Sequence, residues 1–254
     1  MDDMAAGLSH RLRAEQELWA NISHEIRTPL ARIRVALELC EEEQGGAEAL
    51  RAHLAGIGTD VVELDRLVND VLTAAKLDLS AGEAGPGAGA DGAGLVLRTE
   101  RLRTDDVLDE ARRRCAEYHP ERELELELSD GPLPDIRADG VLVQRVLGNL
   151  LDNAAKYSDP GSSLRLGAEA TVDAVAFEVR DGGIGVDEDD LPHLFDHFFR
   201  TDRSRARGSG GVGLGLTLCK RIVEAHGGTI GARNHPDGGL VIRFTLPRAT
   251  VHSS

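Results

Sequence analysis

A histidine and the glutamate that follows it, near the N-terminus, are the residues best suited to chemistry. His24 and Glu25 lie in a segment whose apolar residues recur at steps of three and four, which is typical of one face of a helix. His24 points away from that face, and Thr28, four residues on, shares its side. Pro29 removes a backbone donor and should kink the helix just beyond the histidine. A solvent-facing imidazole can react with an incoming group, although most exposed histidines are ordinary surface residues.

Two asparagines and a lysine form a second polar group, on a predicted helix. Asn149, Asn153 and Lys156 follow one another at i, i+4 and i+7, so they share one side of that helix. Amide oxygens are hard ligands that suit Mg²⁺, and a lysine ammonium is a point charge for phosphate. A solvated polar face explains the same spacing equally well.

Two glycine-containing segments follow the asparagine helix. Asp181–Gly185 comes directly after a predicted strand, and its glycines allow a tight turn or the close approach of a flat ligand. Asp181 can accept a hydrogen bond from an exocyclic amine such as that of adenine, although an acidic-glycine turn is more often a hairpin loop. Gly208–Leu216 enters a helix, where backbone N–H groups suit phosphate oxygens. Arginines precede it where a dinucleotide-binding fold needs a hydrophobic strand, which excludes that interpretation.

Two long helices must position His24. The first is predicted over residues 8–43, and Gly45 and Gly46 separate it from a second helix with its own apolar stripe. Such helices form an antiparallel hairpin, but one hairpin cannot cover both stripes. Two hairpins from two chains can, as a four-helix bundle. The pattern therefore predicts a homodimer formed through residues 8–78.

The rest of the chain predicts a second domain beyond a glycine-rich linker. The linker is either a hinge that brings this domain to His24 or a passive tether, and its composition fits both. Helices then alternate with mostly antiparallel strands, which indicates an α/β sandwich with helices on one face of a mixed sheet. Thr104 and Asp139 are expected to cap helices. Predicted strands are 96–101, 124–128, 164–172, 175–180, 230–233 and 240–246, with a short strand at Ile136, and predicted helices are 104–117, 139–156, 191–195 and 214–225.

Composition excludes several classes of protein. The 254 residues carry a net charge of −15, which argues against a nucleic-acid backbone or an anionic membrane surface as the main partner. Three widely spaced cysteines make no disulfide framework, so a reducing cytosol is expected. No run approaches the roughly 18 apolar residues of a membrane span. We therefore expect a cytoplasmic chain, with the alternative that it is the cytosolic part of an inner-membrane sensor whose sensor region precedes it.

Five motifs carry a family resemblance. Ser23–Leu30, with the sequence S-H-E-I-R-T-P-L, resembles the phospho-acceptor motif of bacterial two-component sensor histidine kinases. Asn149–Tyr157 resembles the N box, Asp181–Gly185 and Gly211–Leu216 the two glycine boxes, and Phe195–Arg200 the F box of their GHKL-type ATP-binding domain. In the F box, Asp196 stands where glutamate is commoner and Phe199 where tyrosine is frequent. The resemblance covers about residues 15–80 and 95–247.

The resemblance implies an α+β protein with an N-terminal helical hairpin that forms a dimeric four-helix bundle, then a C-terminal α/β sandwich of the GHKL ATPase type. It divides the chain into residues 1–79 for dimerisation and histidine phosphotransfer, 80–94 as linker, 95–249 as the ATP-binding catalytic domain, and 250–254 as a tail.

The resemblance also implies a function, that of an ATP-dependent protein-histidine kinase. His24 would take the γ-phosphoryl group, Glu25 would fix its tautomer, and the group would pass to an aspartate of a separate response regulator. Thr28 would orient water if the protein also dephosphorylates that regulator, unless it only prepares the Pro29 kink. Asn153, assisted by Asn149, would ligate Mg²⁺. The implied ATP-binding residues are Asn149, Asn153, Lys156, Tyr157, Asp181, Gly183, Gly185, Gly211, Gly213, Leu214 and Gly215.

Two other classes of function stay open. The chain could be an ATP-binding scaffold whose hairpin only dimerises, although such degenerate kinases usually lack one of His24, Asn153 or Asp181. An ATPase clamp acting on DNA is disfavoured by the negative charge and because Asn149 stands where a water-activating glutamate is needed.

His193 and His197 could mimic a metal pair, but a lid surface accounts for them better.

Overall fold

The computed structural model describes residues 20, 22–23, 26–40, 46–82, 97–129, 131–159, 161–196, 199, 201 and 214–249. Four predicted site residues, His24, Glu25, Gly211 and Gly213, lie outside these ranges. The chain divides into two compact units. The first comprises residues 1–73 and 210–214, and the second comprises residues 74–209 and 215–254.

The first unit consists mainly of two helices, the second of which continues beyond Thr73. Helix α1 covers residues 26–40, with residues 20, 22 and 23 also helical, and α2 covers Gly46–Gly82. Gly46 has φ +71°, a left-handed conformation that glycine adopts without steric cost, so it is well suited to the start of α2. Helix α2 runs three residues into the predicted linker, which begins at residue 80. Arg32 of α1 pairs with Asp60 of α2, with 2.6 Å between Nη2 and Oδ1, which joins the two helices through a largely buried carboxylate.

Only part of the predicted apolar stripe of α1 is covered. The covered residues recur at steps of three and four and are Ile22, Ile26, Pro29, Ile33, Ala36 and Cys40. Leu30 and Leu37, both predicted on the stripe, are 49% and 48% exposed. The predicted stripe of α2 is divided in the same way: Ile57, Leu64 and Val71 are half-buried, and the exposed residues are Leu50, Leu54, Val61, Val68 and Ala75. The physical reason is that one neighbouring helix covers only a narrow strip, whereas the apolar arc is wider.

The second unit is built on a five-stranded sheet. Its strand order is β2-β4-β5-β7-β6, with β2 parallel to β4 and every other pair antiparallel, and β1 and β3 form a separate antiparallel pair. The strands are β1 Glu100–Leu102, β2 Leu124–Leu128, β3 Ile136–Ala138, β4 Leu164–Ala170, β5 Ala174–Arg180, β6 Ile230–Asn234 and β7 Leu240–Pro247. The helices are α3 Thr104–Tyr118, α4 Gly140–Tyr157, a 3₁₀ turn Leu191–His193 and α5 Gly215–Ala225.

One face of this sheet carries the core. Alternate residues of β4, β5 and β7 are buried against α3, α4 and α5, and Phe177 stacks on Phe244 at 5.0 Å between ring centres. Several of the residues between them carry charge and form ion pairs on the opposite face, such as Arg165 with Glu125 at 3.2 Å and with Glu127 at 2.8 Å. Helices on one face and a charged second face confirm the predicted α/β sandwich.

Three of the predicted local features of the second unit differ from the structure. Thr104 does not cap α3, because it is the first helical residue and its hydroxyl donates to the Pro134 carbonyl at 2.6 Å. Helix 191–195 is only the three-residue 3₁₀ turn. The Asp139 cap is confirmed, since Oδ1 accepts from the N–H groups of Val141 and Leu142. Strand 96–101 is also shorter than predicted and shifted towards the C-terminus, as β1.

A membrane-spanning helix must be both long and apolar. Among the residues described, no helix is long enough and apolar enough to cross a bilayer.

Candidate functional site

Asp181, the residue after β5, is a buried carboxylate held by backbone amides. Its Oδ1 accepts from the N–H of Gly183 at 2.9 Å and from the N–H of Leu240 at 3.0 Å. In the described part of the chain, no hydrogen bond ends on Oδ2. The side chain is thus held through Oδ1 by two backbone amides.

The electrostatics of Asp181 agree with this geometry. Burial raises the pKa of the carboxyl group, and the two backbone N–H groups and the Arg180 guanidinium offset part of that rise. A further hydrogen-bond donor brought by a ligand would favour the ionised form in the same way.

The backbone around Asp181 leaves no room for side chains. A Cβ added to Gly183 would overlap the Tyr157 carbonyl oxygen, and one added to Gly239 would overlap the Asp181 carbonyl oxygen. Gly239 also has φ +88°, which disfavours other residues. The sequence prediction included Gly183 but missed Gly239, although Asp237-Gly238-Gly239 is a recognisable turn signal.

Asn234, at the end of β6, fixes the loop that follows Asp181. Its Oδ1 accepts from the Val186 N–H at 2.9 Å, and its Nδ2 donates to the Val186 carbonyl at 2.6 Å. Gly185 has φ +72°, and a Cβ there would lie 2.6 Å from Asn234 Oδ1. Sequence reasoning missed Asn234, because its partner lies 48 positions away in the chain and no motif marks it.

Helix α4 lies beside this loop. Ser158, just after α4, forms an isolated bridge with Gly183, so the end of the helix touches the loop that follows Asp181. Of the predicted residues on α4, Asn149 is buried, Asn153 half-buried and Lys156 exposed. Tyr157 is half-buried, and the Lys156 ammonium lies 5.4 Å from the centre of its ring.

Helix α5 begins next to Asn149. A Cβ on Gly215, its first residue, would lie 3.9 Å from Asn149 Nδ2, so the start of the helix faces the asparagine without a side chain between them. Thr217 is buried and donates from Oγ1 to the Asp196 carbonyl at 3.1 Å, which ties α5 to the predicted F box. Leu214 is buried immediately before the helix. The amide groups at a helix N-terminus suit an anion such as phosphate.

The donor set fits Mg²⁺ better than a transition metal. The described residues hold no group of three or more His, Cys, Asp or Glu side chains that could bind a metal ion. Asn149 and Asn153 offer amide oxygens, and Mg²⁺ is commonly held by few protein oxygens together with phosphate oxygens. His193 instead pairs with Asp196, at 2.8 Å between Nδ1 and Oδ2, and His197 is not among the described residues.

On the helical hairpin, the structure describes Thr28 but neither His24 nor Glu25. Thr28 is exposed on α1, on the turn that follows His24 in sequence.

Two family matches cover the two units in chain order. Residues 14–80 match the His Kinase A (phospho-acceptor) domain, and residues 138–250 match the histidine kinase-, DNA gyrase B- and HSP90-like ATPases. The first match contains His24, and the second contains Asn149, Asn153 and Asp181.

Several known proteins are similar to this chain along nearly its whole length. The sensor protein KdpD of Clostridium acetobutylicum is 33% identical over 94% of this chain and 25% of its own length. The crystal structure of full-length ShkA in complex with AMPPNP aligns with a TM-score of 0.62 at 29% identity, over 93% of this chain and 46% of that one. The crystal structure of ThkA in complex with the response regulator TrrA aligns with a TM-score of 0.66 at 23% identity, over 95% and 64% of the two chains, and so shares the fold.

The second unit is therefore an ATP-binding domain of the type found in histidine kinases, gyrase B and HSP90. With a phospho-acceptor domain before it, the chain belongs to the two-component sensor histidine kinases. It spans about a quarter to a half of the length of the curated relatives that it matches.

Proposed function

We propose that this chain is an ATP-dependent protein-histidine kinase, a phosphotransferase that phosphorylates its own His24. The observation that carries the proposal is one chain with both a phospho-acceptor domain around His24 and an ATPase domain around Asp181. Asp181, with Oδ1 held by two amides, would accept the adenine amine on Oδ2.

The reacting group on the acceptor side is the neutral imidazole of His24. Only one ring nitrogen has an unshared pair, so Nε2 attacks the γ-phosphorus in line while Nδ1 keeps its proton. Glu25 accepts a hydrogen bond from that N–H and stabilises the positive charge that develops on the ring. The bond between the γ-phosphorus and the bridging oxygen breaks, and ADP leaves.

The phosphate groups would lie between α4 and the start of α5. Asn153, with Asn149, would hold Mg²⁺ through amide oxygens, and Lys156 would contact phosphate. Bound there, Mg²⁺ would neutralise charge on the phosphates during transfer. Backbone groups close to the nucleotide would come from Gly183, Gly185, Gly211, Gly213, Leu214 and Gly215.

Radiolabelled phosphate tests the reaction. We expect the full chain, incubated with γ-labelled ATP and Mg²⁺, to acquire label that is lost in acid and stable in base. His24→Gln should abolish the label, whereas the matched control His53→Gln, on α2, should retain it. Undiminished labelling of His24→Gln would refute the assignment of the acceptor.

The alternative is an ATP-binding scaffold that only dimerises. It predicts nucleotide binding by the wild-type chain with no label on any histidine. Binding of ADP without labelling would therefore favour the scaffold, and labelling would exclude it.

The acceptor of the second transfer is proposed to be an aspartate of a separate response regulator. Family membership supports this partner, as does the crystal structure of ThkA, a chain of the same fold bound to the response regulator TrrA. Labelled chain mixed with receiver proteins of the same genome should pass its label to one of them within minutes. Retention of all label on His24 would contradict the proposal.

We also propose a homodimer through the hairpin. Five exposed apolar residues of α2 lie within about 40° of one another around the helix axis, so they could pack against a second copy of the chain. They are Leu50, Leu54, Val61, Val68 and Leu72. Val61→Glu should convert the dimer to a monomer in light scattering. Val62→Glu, about 100° round the helix, is the matched control and should not.

Thr28 would serve a phosphatase reaction on the phosphorylated regulator by orienting water. Its exposure on the turn after His24 supports this role. Thr28→Ala should then slow dephosphorylation of the regulator and leave labelling of His24 unchanged, and equal loss of both would contradict it.

We further propose that the chain is the cytoplasmic portion of a longer sensor. The matched sensor proteins are about two to four times as long as the part of their sequence that aligns with this chain, which supports this proposal. Sequencing upstream of the first codon tests it, and an in-frame membrane-spanning segment there is the expected result.

A further inference from the structure

Arg122, in the loop between α3 and β2, binds the C-terminal end of α4. Its Nη1 donates to the Asp159 carbonyl at 2.7 Å, and its Nη2 donates to the carbonyls of Ala155 at 2.8 Å and Ser158 at 3.3 Å. The last carbonyls of a helix have no partner within the helix, so a cation with several donors is well matched to them. The planar guanidinium can bond all three at once, which a lysine ammonium on a flexible stem cannot do with the same rigidity.

The end of α4 in turn contacts the loop of Asp181. Ser158 forms a bridge with Gly183, and its hydroxyl donates to the Ala154 carbonyl at 2.5 Å while it accepts from the Gly182 N–H at 3.4 Å. The Tyr157 carbonyl lies so close to Gly183 that no Cβ fits between them. Any shift of Ser158 therefore displaces the backbone of the loop.

The loop transmits such a shift to the carboxylate. Gly183 N–H is one of the two donors that hold Asp181 Oδ1. The other donor, Leu240 N–H, belongs to β7 and is independent of α4. Loss of the first would leave Asp181 free to rotate about the second, so Oδ2 would no longer be presented in one direction.

We propose that Arg122 is a positioning residue for recognition of the nucleotide base, and that it acts through Ser158 and Gly183 on Asp181. The inference rests on the proposed binding of adenine at Asp181. Among the described residues, the hydrogen bonds of the Arg122 guanidinium end on carbonyl groups of the protein, so its effect is on the direction of Asp181 Oδ2 and on the choice of base.

The test compares two nucleotides that differ at the atom Asp181 recognises. ADP carries an exocyclic amine, whereas inosine diphosphate carries an oxygen there, so an acceptor at Asp181 favours ADP. We expect Arg122→Ala to weaken ADP binding about tenfold in calorimetric titration and to leave inosine diphosphate within about twofold. Arg122→Lys, which keeps the charge, should give a smaller loss of the same preference. Arg112→Ala, an exposed arginine of α3 paired with Asp109, is the control and should change neither affinity.

The outcomes separate this inference from the proposed function. A wild-type chain that does not prefer ADP would overturn the adenine site and the inference with it. A wild-type preference that Arg122→Ala leaves intact, or an equal loss of both nucleotides, would overturn the role of Arg122 alone. If Arg122→Ala does not fold, the ratio measured with Arg122→Lys decides, and an unchanged ratio contradicts the proposal.

Discussion

Replacing Asp181 by asparagine separates nucleotide binding from folding at the proposed adenine site. The amide keeps an acceptor oxygen for the N–H groups of Gly183 and Leu240, but it presents an NH₂ donor where Oδ2 stood. A hydrogen bond to a charged group contributes about 1.5–3 kcal/mol, so losing it should weaken ADP binding about 10- to 150-fold. Both structural bonds remain, so the free energy of unfolding should change by only about 1 kcal/mol.

Asp181→Ala provides the contrast. It removes the acceptor for two amide donors, and each buried donor left unsatisfied costs about 1–3 kcal/mol, which gives about 2–6 kcal/mol in total. Calorimetric titration with ADP and Mg²⁺ measures the binding, and urea unfolding measures the stability. The reasoning is refuted if Asp181→Asn binds ADP as tightly as the wild type, or if it loses as much stability as Asp181→Ala.

Three further predictions concern stability. Burial raises the pKa of Asp181, so its stabilising contribution is complete below the ordinary pKa of 3.8 and is lost as the pH rises through the folded value. Urea unfolding at several pH values should therefore show Asp181→Asn gaining on the wild type across that window, and a constant difference would contradict this. Gly239→Ala should lower the free energy of unfolding by more than about 2 kcal/mol, because φ is +88° and the Cβ overlaps the Asp181 carbonyl. Gly231→Ala, where nothing lies within 4 Å, is the control, and similar melting temperatures for the two would show that the close approach is not rigid. His226 is buried and accepts from the Asp139 N–H at 3.0 Å. His226→Leu should therefore lower the free energy of unfolding measured in urea by about 1–3 kcal/mol, and an unchanged value would show that water replaces the ring as the acceptor.

Local signals predicted most of the elements of the second unit. The alternation of Leu124, Leu126 and Leu128 with glutamates marks β2, and Asp139 marks the start of α4, because both signals depend only on neighbouring residues. The same kind of signal failed at Thr104, where the competing partner was the Pro134 carbonyl, 30 positions away. A capping residue with a tertiary alternative cannot be recognised from its neighbours alone.

The sequence predicted the motifs of the candidate site but not the residues that hold those motifs in place. Asp181, Gly183 and Gly185 lie in one short segment that the sequence marks. Asn234 and Arg122, which hold the loop and the end of α4, carry no motif, and each meets its partner across more than 30 positions.

The sequence by itself determined the order of the motifs, the helical periodicity of the hairpin and the alternating strands. Each of these features depends on residues a few positions apart. Only the tertiary structure decided that β7 supplies the second amide to Asp181 and that α5 begins beside Asn149. It also decided that Leu30 and Leu37 stay exposed and are not covered by the other helix of the hairpin. These outcomes depend on strand register and on which helix covers which arc. Register and coverage follow from packing between distant segments, so no local pattern contains them.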